Sequence, residues 1–327
     1  MNPLKFPFQN YTYITVSQNS NYSNKTNKQK NFLSSSKFGL LIMLVACLLF
    51  SIMNTSVYAI KYLDSSIPSF VISFFRIFIN FLILVIPALF RRNFMALFGD
   101  CSTSLWLRGL FGTAALMLSF ASITRIGPGE SAFLGASSGV FVALLSPWLL
   151  KQKNSVWTWG AILGSFIGVA LLCKTNSNHY DLLGQAMALG SGFLAALAYI
   201  MVAHAGRRNS AQTVVFYFCL VALLLHSGYF VFYGYSLPNT VEIWELLLFT
   251  GLIGSGAQYT MTLAYQAAPA TLVSAVGYLS PVLSLVWGVI FFAQTPNIWG
   301  FVGSAMILLS GVLLPFLQTN TKKSDNA

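Results

Sequence analysis

Residues 38–60 read FGLLIMLVACLLFSIMNTSVYAI, an apolar run without a single charged side chain. About 20 predominantly apolar residues are enough to cross a bilayer as a helix. Nine more such stretches follow, at 67–90, 105–124, 128–150, 156–173, 183–205, 211–233, 243–265, 269–292 and 298–317. They fill the chain from Phe38 to Leu317 and leave almost no mass for a soluble domain. The sequence therefore predicts an all-α polytopic membrane protein with ten transmembrane helices. The connections are short, which favours antiparallel neighbours. The third and fourth spans fit least well, because they carry Arg108 and Glu130.

Composition agrees. Hydrophobic residues make up 56% of the chain and charged residues only 8%. Mean hydropathy is +0.70. Soluble domains carry about 25% charged residues, and no soluble fold hides this much apolar surface. The net charge of +11 suggests nucleic acid only in a soluble chain; here its placement sets topology, and no nucleic-acid partner is expected. The four cysteines (Cys47, Cys101, Cys173, Cys219) are scattered. They form no CxxC and no Cys/His cluster, so neither a metal site nor a disulfide framework is expected. Residues 1–37 are polar, rich in Asn, Ser and Lys, and lack the early apolar core of a signal peptide. They read as a disordered cytoplasmic tail. On that side of the membrane the sequons at Asn10, Asn21 and Asn24 are chance matches.

Basic residues orient the spans. With the amino terminus inside, the cytoplasmic segments hold Lys5, Lys25, Lys28, Lys30, Lys37, Arg91, Arg92, Lys151, Lys153, Arg207, Arg208, Lys322 and Lys323. The opposite loops hold only Lys61, Arg125 and Lys174. The excess of Lys and Arg on cytoplasmic loops predicts both termini in the cytoplasm, with 318–327 as a short C-terminal tail.

The chain also repeats itself at an offset of about 142 residues. Gly109-Leu110-Phe111-Gly112 matches Gly251-Leu252-Ile253-Gly254, and Ser131-Ala132 matches Ser274-Ala275. Gln152 matches Gln294, and Gly168-Val169 matches Gly311-Val312. The matches run in order and divide the chain into halves of five spans, 38–174 and 183–317. Five is odd, so the second half enters the membrane from the opposite side. Inverted repeats of this kind suit alternating access, with a binding site near the midplane between them.

On these residues the chain resembles the EamA-type members of the drug/metabolite transporter superfamily. The resemblance is carried by Phe75-Arg76-Ile77-Phe78, Arg108-Gly109-Leu110-Phe111-Gly112, the small-residue run of span 4 and Ser280-Pro281-Val282. It is also carried by the segments Trp159-Gly160 to Gly168-Val169 and Trp299-Gly300 to Gly311-Val312. It covers residues 38–317. There are departures. A Gly-Glu pair often follows spans 4 and 9 in such proteins, where this chain has Lys151-Gln152 and Ala293-Gln294. Pro281 has no counterpart at the aligned Ser138, and Arg76 aligns with Cys219.

The resemblance implies a carrier without a cofactor, its central cavity lined by spans 1, 3, 4, 6, 8 and 9. The expected activity is movement of a small organic metabolite across a bacterial inner membrane. An amino acid or S-adenosylmethionine is the expected solute, the latter because Lys61-Tyr62-Leu63 and Phe75-Arg76 are similar to S-adenosylmethionine uptake carriers. An efflux exporter of the same fold is the alternative. An intramembrane serine hydrolase or a membrane scaffold is the rival class.

Candidate site residues follow from cost and chemistry. Arg76 sits near mid-span, where a charge costs about 2.5–3.5 kcal/mol on insertion scales. It reads either as an anion contact or as a pin hydrogen-bonded to neighbouring helices. Arg108 lies near the start of span 3, where its side chain can snorkel to the interface. Glu130 is the coupling candidate, since intramembrane acids mark proton relays, although a carboxylate there also suits the helix dipole. Asn54, Tyr199, Gln258, Tyr259 and Tyr278 suit a pocket for an amphipathic solute, or simple interhelical hydrogen bonds. Gln266 and His204 lie nearer the span ends, and Glu245 reads as interfacial. Gly160, Gly164 and Gly168 form a small-xxx-small ladder for helix packing, within the fold or in a homodimer. Gly135-Ala136-Ser137-Ser138-Gly139 fits the G-x-S-x-G hydrolase pattern. That motif needs a strand-to-helix turn, whereas this one falls within an expected membrane helix.

Overall fold

The computed structural model describes residues 36–92, 94–149, 156–173, 181–234, 237–268, 273, 276–294 and 297–324. The expected N-terminal tail lies outside these residues except for Ser36 and Lys37, which already belong to the first helix. In chain order the helices are α1 (Ser36–Leu63), α2 (Ser69–Phe90), α3 (Thr103–Ile126), α4 (Pro128–Gly135), α5 (Ser138–Leu149) and α6 (Val156–Cys173). They continue with α7 (Leu182–Ala205), α8 (Ala211–Tyr233), α9 (Val241–Ala267), α10 (Leu279–Phe292) and α11 (Ile298–Ser324). Six of the helical segments, with α4 and α5 counted together, have the length and apolarity to cross a membrane unaided. The last helix runs past the expected end at Leu317. It continues without a break to Ser324.

Local chemistry sets the helix ends. Gly127 stops α3 with φ 86°, and Pro128 starts α4 at a position where its missing N–H costs nothing. Asp181 caps α7 by accepting from the Gly184 N–H at 2.9 Å. It also accepts from Arg125 Nε at 2.6 Å, tying the start of α7 to the end of α3. That guanidinium holds the Asp181 carboxyl below the usual carboxylate range. Ser210 caps α8 through the Thr213 N–H.

The expected span 4 is not one helix. It breaks at Ala136-Ser137, between α4 and α5. Two glycines, Gly135 and Gly139, weaken helix propensity there. The Ser137 hydroxyl donates to the Leu134 carbonyl at 2.6 Å, taking up a backbone acceptor of the interrupted turn. Span 9 is interrupted at the corresponding place, where Tyr278 sits in a turn just before α10. Ala136 has φ −65° and ψ −14°, and Tyr278 has φ −65° and ψ −10°. Both repeats therefore carry a discontinuous fourth helix.

Packing follows the inverted repeat. The largest interfaces are α3 with α7 and α1 with α9, which exchange under the swap of repeats, and α6 with α11, which maps onto itself. The pairs α2–α9 and α3–α8 are related in the same way. All of these cross from one repeat to the other, so the halves interlace rather than stand side by side.

The glycine repeat has a physical reason. A Cβ on Gly109 would meet the Tyr217 carbonyl at 2.9 Å and the Val221 side chain at 2.7 Å, and one on Gly251 would collide with Ile79. The same motif thus brings α3 close to α8 and α9 close to α2.

Ala293 ends α10 in the left-handed region, with φ 52° and ψ 29°. A left-handed L-residue costs roughly 1–2 kcal/mol. Ala293→Gly is therefore expected to raise Tm in detergent by about 2–4 °C, and an unchanged or lower Tm would show that the position is unstrained.

Candidate functional site

A cavity of about 220 Å³ lies at the centre of the bundle. Its walls come from α1, α3, α4, α5, α7, α9, α10 and the residues just before α10, the six spans implied by the resemblance. Two further side chains enter it, Arg76 from α2 and Phe218 from α8. None of the described side chains of α6 or α11 lines it; the two helices pack on each other. The two helix breaks border the cavity with Gly135, Ala136, Ser138 and Gly139 on one side and Gly277, Tyr278, Ser280 and Pro281 on the other. Irregular backbone at membrane depth is tolerated where it lines such a cavity.

Of the expected pocket residues, Asn54, Arg76, Tyr199, Gln258 and Tyr278 line the cavity. Tyr259 does not. It is one residue, and so about 100° of helix, away from Gln258. Asn54 donates to Ser284 at 3.4 Å, linking α1 to α10. Tyr199 stacks on Tyr265, ring centroids 5.2 Å apart and 21° from parallel. Arg76, 2% exposed, makes one long 3.5 Å contact to Gln258 Oε1.

Arg108 overturns the expectation of snorkelling. It is also 2% exposed and lines the cavity, its guanidinium 4.7 Å from the centre of the Phe218 ring. Arg76 lies 5.9 Å from that same ring centre and 5.8 Å from Phe120. Gly112, one turn beyond Arg108, makes room: a Cβ there would overlap the guanidinium. Its repeat partner Gly254 does the same for Arg76, whose Nε a Cβ would meet at 2.7 Å. Periodicity held the clue. Arg108, Gly112, Ala115 and Ser119 form one helical stripe, as do Gln258, Met261 and Tyr265, and both stripes face the cavity. Tyr265 was missed in the sequence in favour of its neighbour Gln266, which instead donates to the Asn209 carbonyl.

Glu130 is not among the lining residues. It stands in the first turn of α4 and accepts from Gln185 Nε2 at 2.9 Å. Of the glycine ladder on α6, Gly168 meets α11 backbone, with the Gly303 carbonyl 2.8 Å from a built Cβ, and Gly164 meets Ser310. Among the described residues a Cβ on Gly160 would meet nothing within 4 Å, and Gly160 is exposed, so within the fold the recorded close contacts of the ladder are those of Gly164 and Gly168. The G-x-S-x-G pattern falls on the helix break, not inside a helix as expected. Its Ser137 hydroxyl is held by its own chain, and His226 hydrogen-bonds Ser73 and Ala222 away from the cavity.

Interlaced inverted repeats around a central cavity, with broken helices at its walls, define a class: a membrane solute carrier. The profile of the EamA-like transporter family matches residues 37–173 and again 182–316. The chain belongs to that family. It is 27% identical to the pseudopaline exporter CntI of Pseudomonas aeruginosa, over 88% of this chain and 98% of that one. It is 24% identical to mouse (Mus musculus) solute carrier family 35 member G1, over 83% of this chain and 76% of the relative. It is also 27% identical to a riboflavin transporter of Vibrio cholerae, over 58% of this chain and 62% of that protein. One solved crystal structure shares the fold, with a TM-score of 0.62 at 17% identity, over 87% of this chain and 99% of the other.

Proposed function

We propose that the protein is a secondary carrier that moves a small organic metabolite across a bacterial inner membrane by alternating access, with both termini cytoplasmic. The observation that carries this reading is the cavity bounded by the breaks of both fourth helices. Two such breaks, related by the inverted repeat, allow one rearrangement and its mirror, each opening a different face. The largest interfaces cross between repeats, so the moving bodies are hybrid. One is built on α3 and α7, the other on α1 and α9. Rocking of intact repeats would have to break these contacts.

The relatives named for a solute handle pseudopaline and riboflavin, which supports a metabolite substrate. An amino acid or S-adenosylmethionine is the solute carried over from the resemblance. Untargeted metabolite profiling of cells with and without the gene, comparing extract with spent medium, tests the reading. A solute that shifts between the two pools on expression supports it and gives the direction; unchanged pools across several media count against it.

Within this reading, Glu130 is assigned to proton coupling. Glu130→Gln is expected to abolish proton-driven accumulation and leave exchange intact in proteoliposomes. Full concentrative transport by that variant would remove Glu130 from the mechanism.

A further inference from the structure

We infer that the cavity recognises an anionic group, and that the solute carries a carboxylate or a similarly acceptor-rich anion held by Arg76 and Arg108. The inference rests on the carrier reading and specifies its substrate class.

Charge comes first. Arginine stays protonated in proteins, so two cations line one cavity of about 220 Å³. Among the described residues no Asp or Glu lines it. The ion pair found among the described residues, Arg125–Asp181, lies at the ends of α3 and α7. The aromatic faces of Phe120 and Phe218 attract the guanidinium groups but carry no negative charge.

Hydrogen bonding gives an independent argument. Four polar atoms on the cavity residues are buried without a partner: the Nε of Arg76, the Nε of Arg108, Nε2 of Gln258 and the hydroxyl of Tyr278. Three are donors only, and the fourth is able to donate. Gln258 already spends its acceptor on Arg76. Buried polar groups are normally satisfied, and a wall rich in donors is satisfied by a ligand rich in acceptors. Arginine is well suited to this, because its planar fork matches a carboxylate in two parallel bonds.

The two candidate solutes then separate. An amino acid brings a carboxylate to the arginines. S-adenosylmethionine carries a carboxylate too, but its sulfonium and amino groups leave it with a net positive charge at neutral pH, so net charge separates the two: it would enter a site that already holds two cations. The geometry favours the former type of solute.

The test uses the purified full chain and a bacterial metabolite extract split by ion exchange into anionic (with zwitterionic acids), neutral and cationic fractions. The anionic fraction is expected to raise Tm by at least 2 °C. In Arg76→Gln and Arg108→Gln the concentration needed should rise at least tenfold. Arg108→Lys, which keeps the charge, should lose less, and the wild-type comparison stands even if a variant fails to fold. Stabilisation by the neutral or cationic fraction instead, or by none, overturns the inference. Proteoliposome counterflow with the same fractions separates this from the carrier reading. Counterflow driven by the cationic fraction keeps the carrier and removes anion recognition. Arginine-dependent stabilisation by anions without any counterflow keeps recognition and removes the carrier.

Discussion

Gly112→Ala is expected to lower transport at least tenfold while the protein stays folded. The reason is steric and local. A methyl group at Gly112 occupies the place of the Arg108 guanidinium. The arginine is long and flexible, so it moves aside at little cost, and alanine improves helix propensity by about 1 kcal/mol. The cavity keeps both its charges but loses the position of one. A tenfold loss corresponds to about 1.4 kcal/mol of solute binding, within the range for a displaced charged hydrogen bond. Gly254→Ala should act likewise on Arg76, whose Nε lies 2.7 Å and Met53 Sδ 2.9 Å from the added atom. Counterflow rates and Tm measured together decide the matter. Wild-type rates in both variants would show that the placement of the arginines has no bearing on transport.

Gly168→Leu carries the largest expected cost in stability. At this position α6 lies against α11 so closely that a Cβ would stand 2.8 Å from the Gly303 carbonyl and 2.9 Å from Met306 Cβ. A backbone carbonyl does not swing away as an arginine tip does, so the helices must part. Overpacking costs typically 1–3 kcal/mol, and the interface disturbed is one of the largest in the fold. A Tm lower by roughly 4–10 °C is expected, with less folded protein recovered. Gly160→Leu is the control. Among the described residues a Cβ there would meet nothing within 4 Å, and the variant should shift Tm by no more than about 1–2 °C. Equal effects at the two positions would contradict the assignment of the α6–α11 contact to Gly168.

Much of this architecture is legible in the residues. Apolar length gives the spans, and the Gly109–Gly112 and Gly251–Gly254 repeats give the symmetry. Four matched segments in order sufficed, and at Gly109, Gly168 and Gly251 a Cβ would run into a neighbouring helix. The helix breaks were harder to read. Gly135 to Gly139 is a run of small residues, and small residues also occur in unbroken membrane helices, so nothing local separates a break from a packing face. Arg108 misled for a similar reason. Its distance from the span end allows snorkelling, and only the side on which Gly112, Ala115 and Ser119 fall decides that it turns inward. Tyr259 and Tyr265 show the same lesson in reverse, since polarity nominates residues but helical phase chooses among them. The interlacing of the two halves is set by contacts far apart in sequence, and no periodicity encodes it.

The central claim is that one cavity opens in turn to both faces of the membrane. A single cysteine at Ser138, in a chain freed of Cys47, Cys101, Cys173 and Cys219, places a reporter on the cavity wall. Membrane-impermeant thiol reagents would then be applied to right-side-out and inside-out vesicles, with and without the stabilising metabolite fraction. The account predicts labelling from both sides, slowed by that fraction in each orientation. Labelling from one side alone, or from neither, would contradict it.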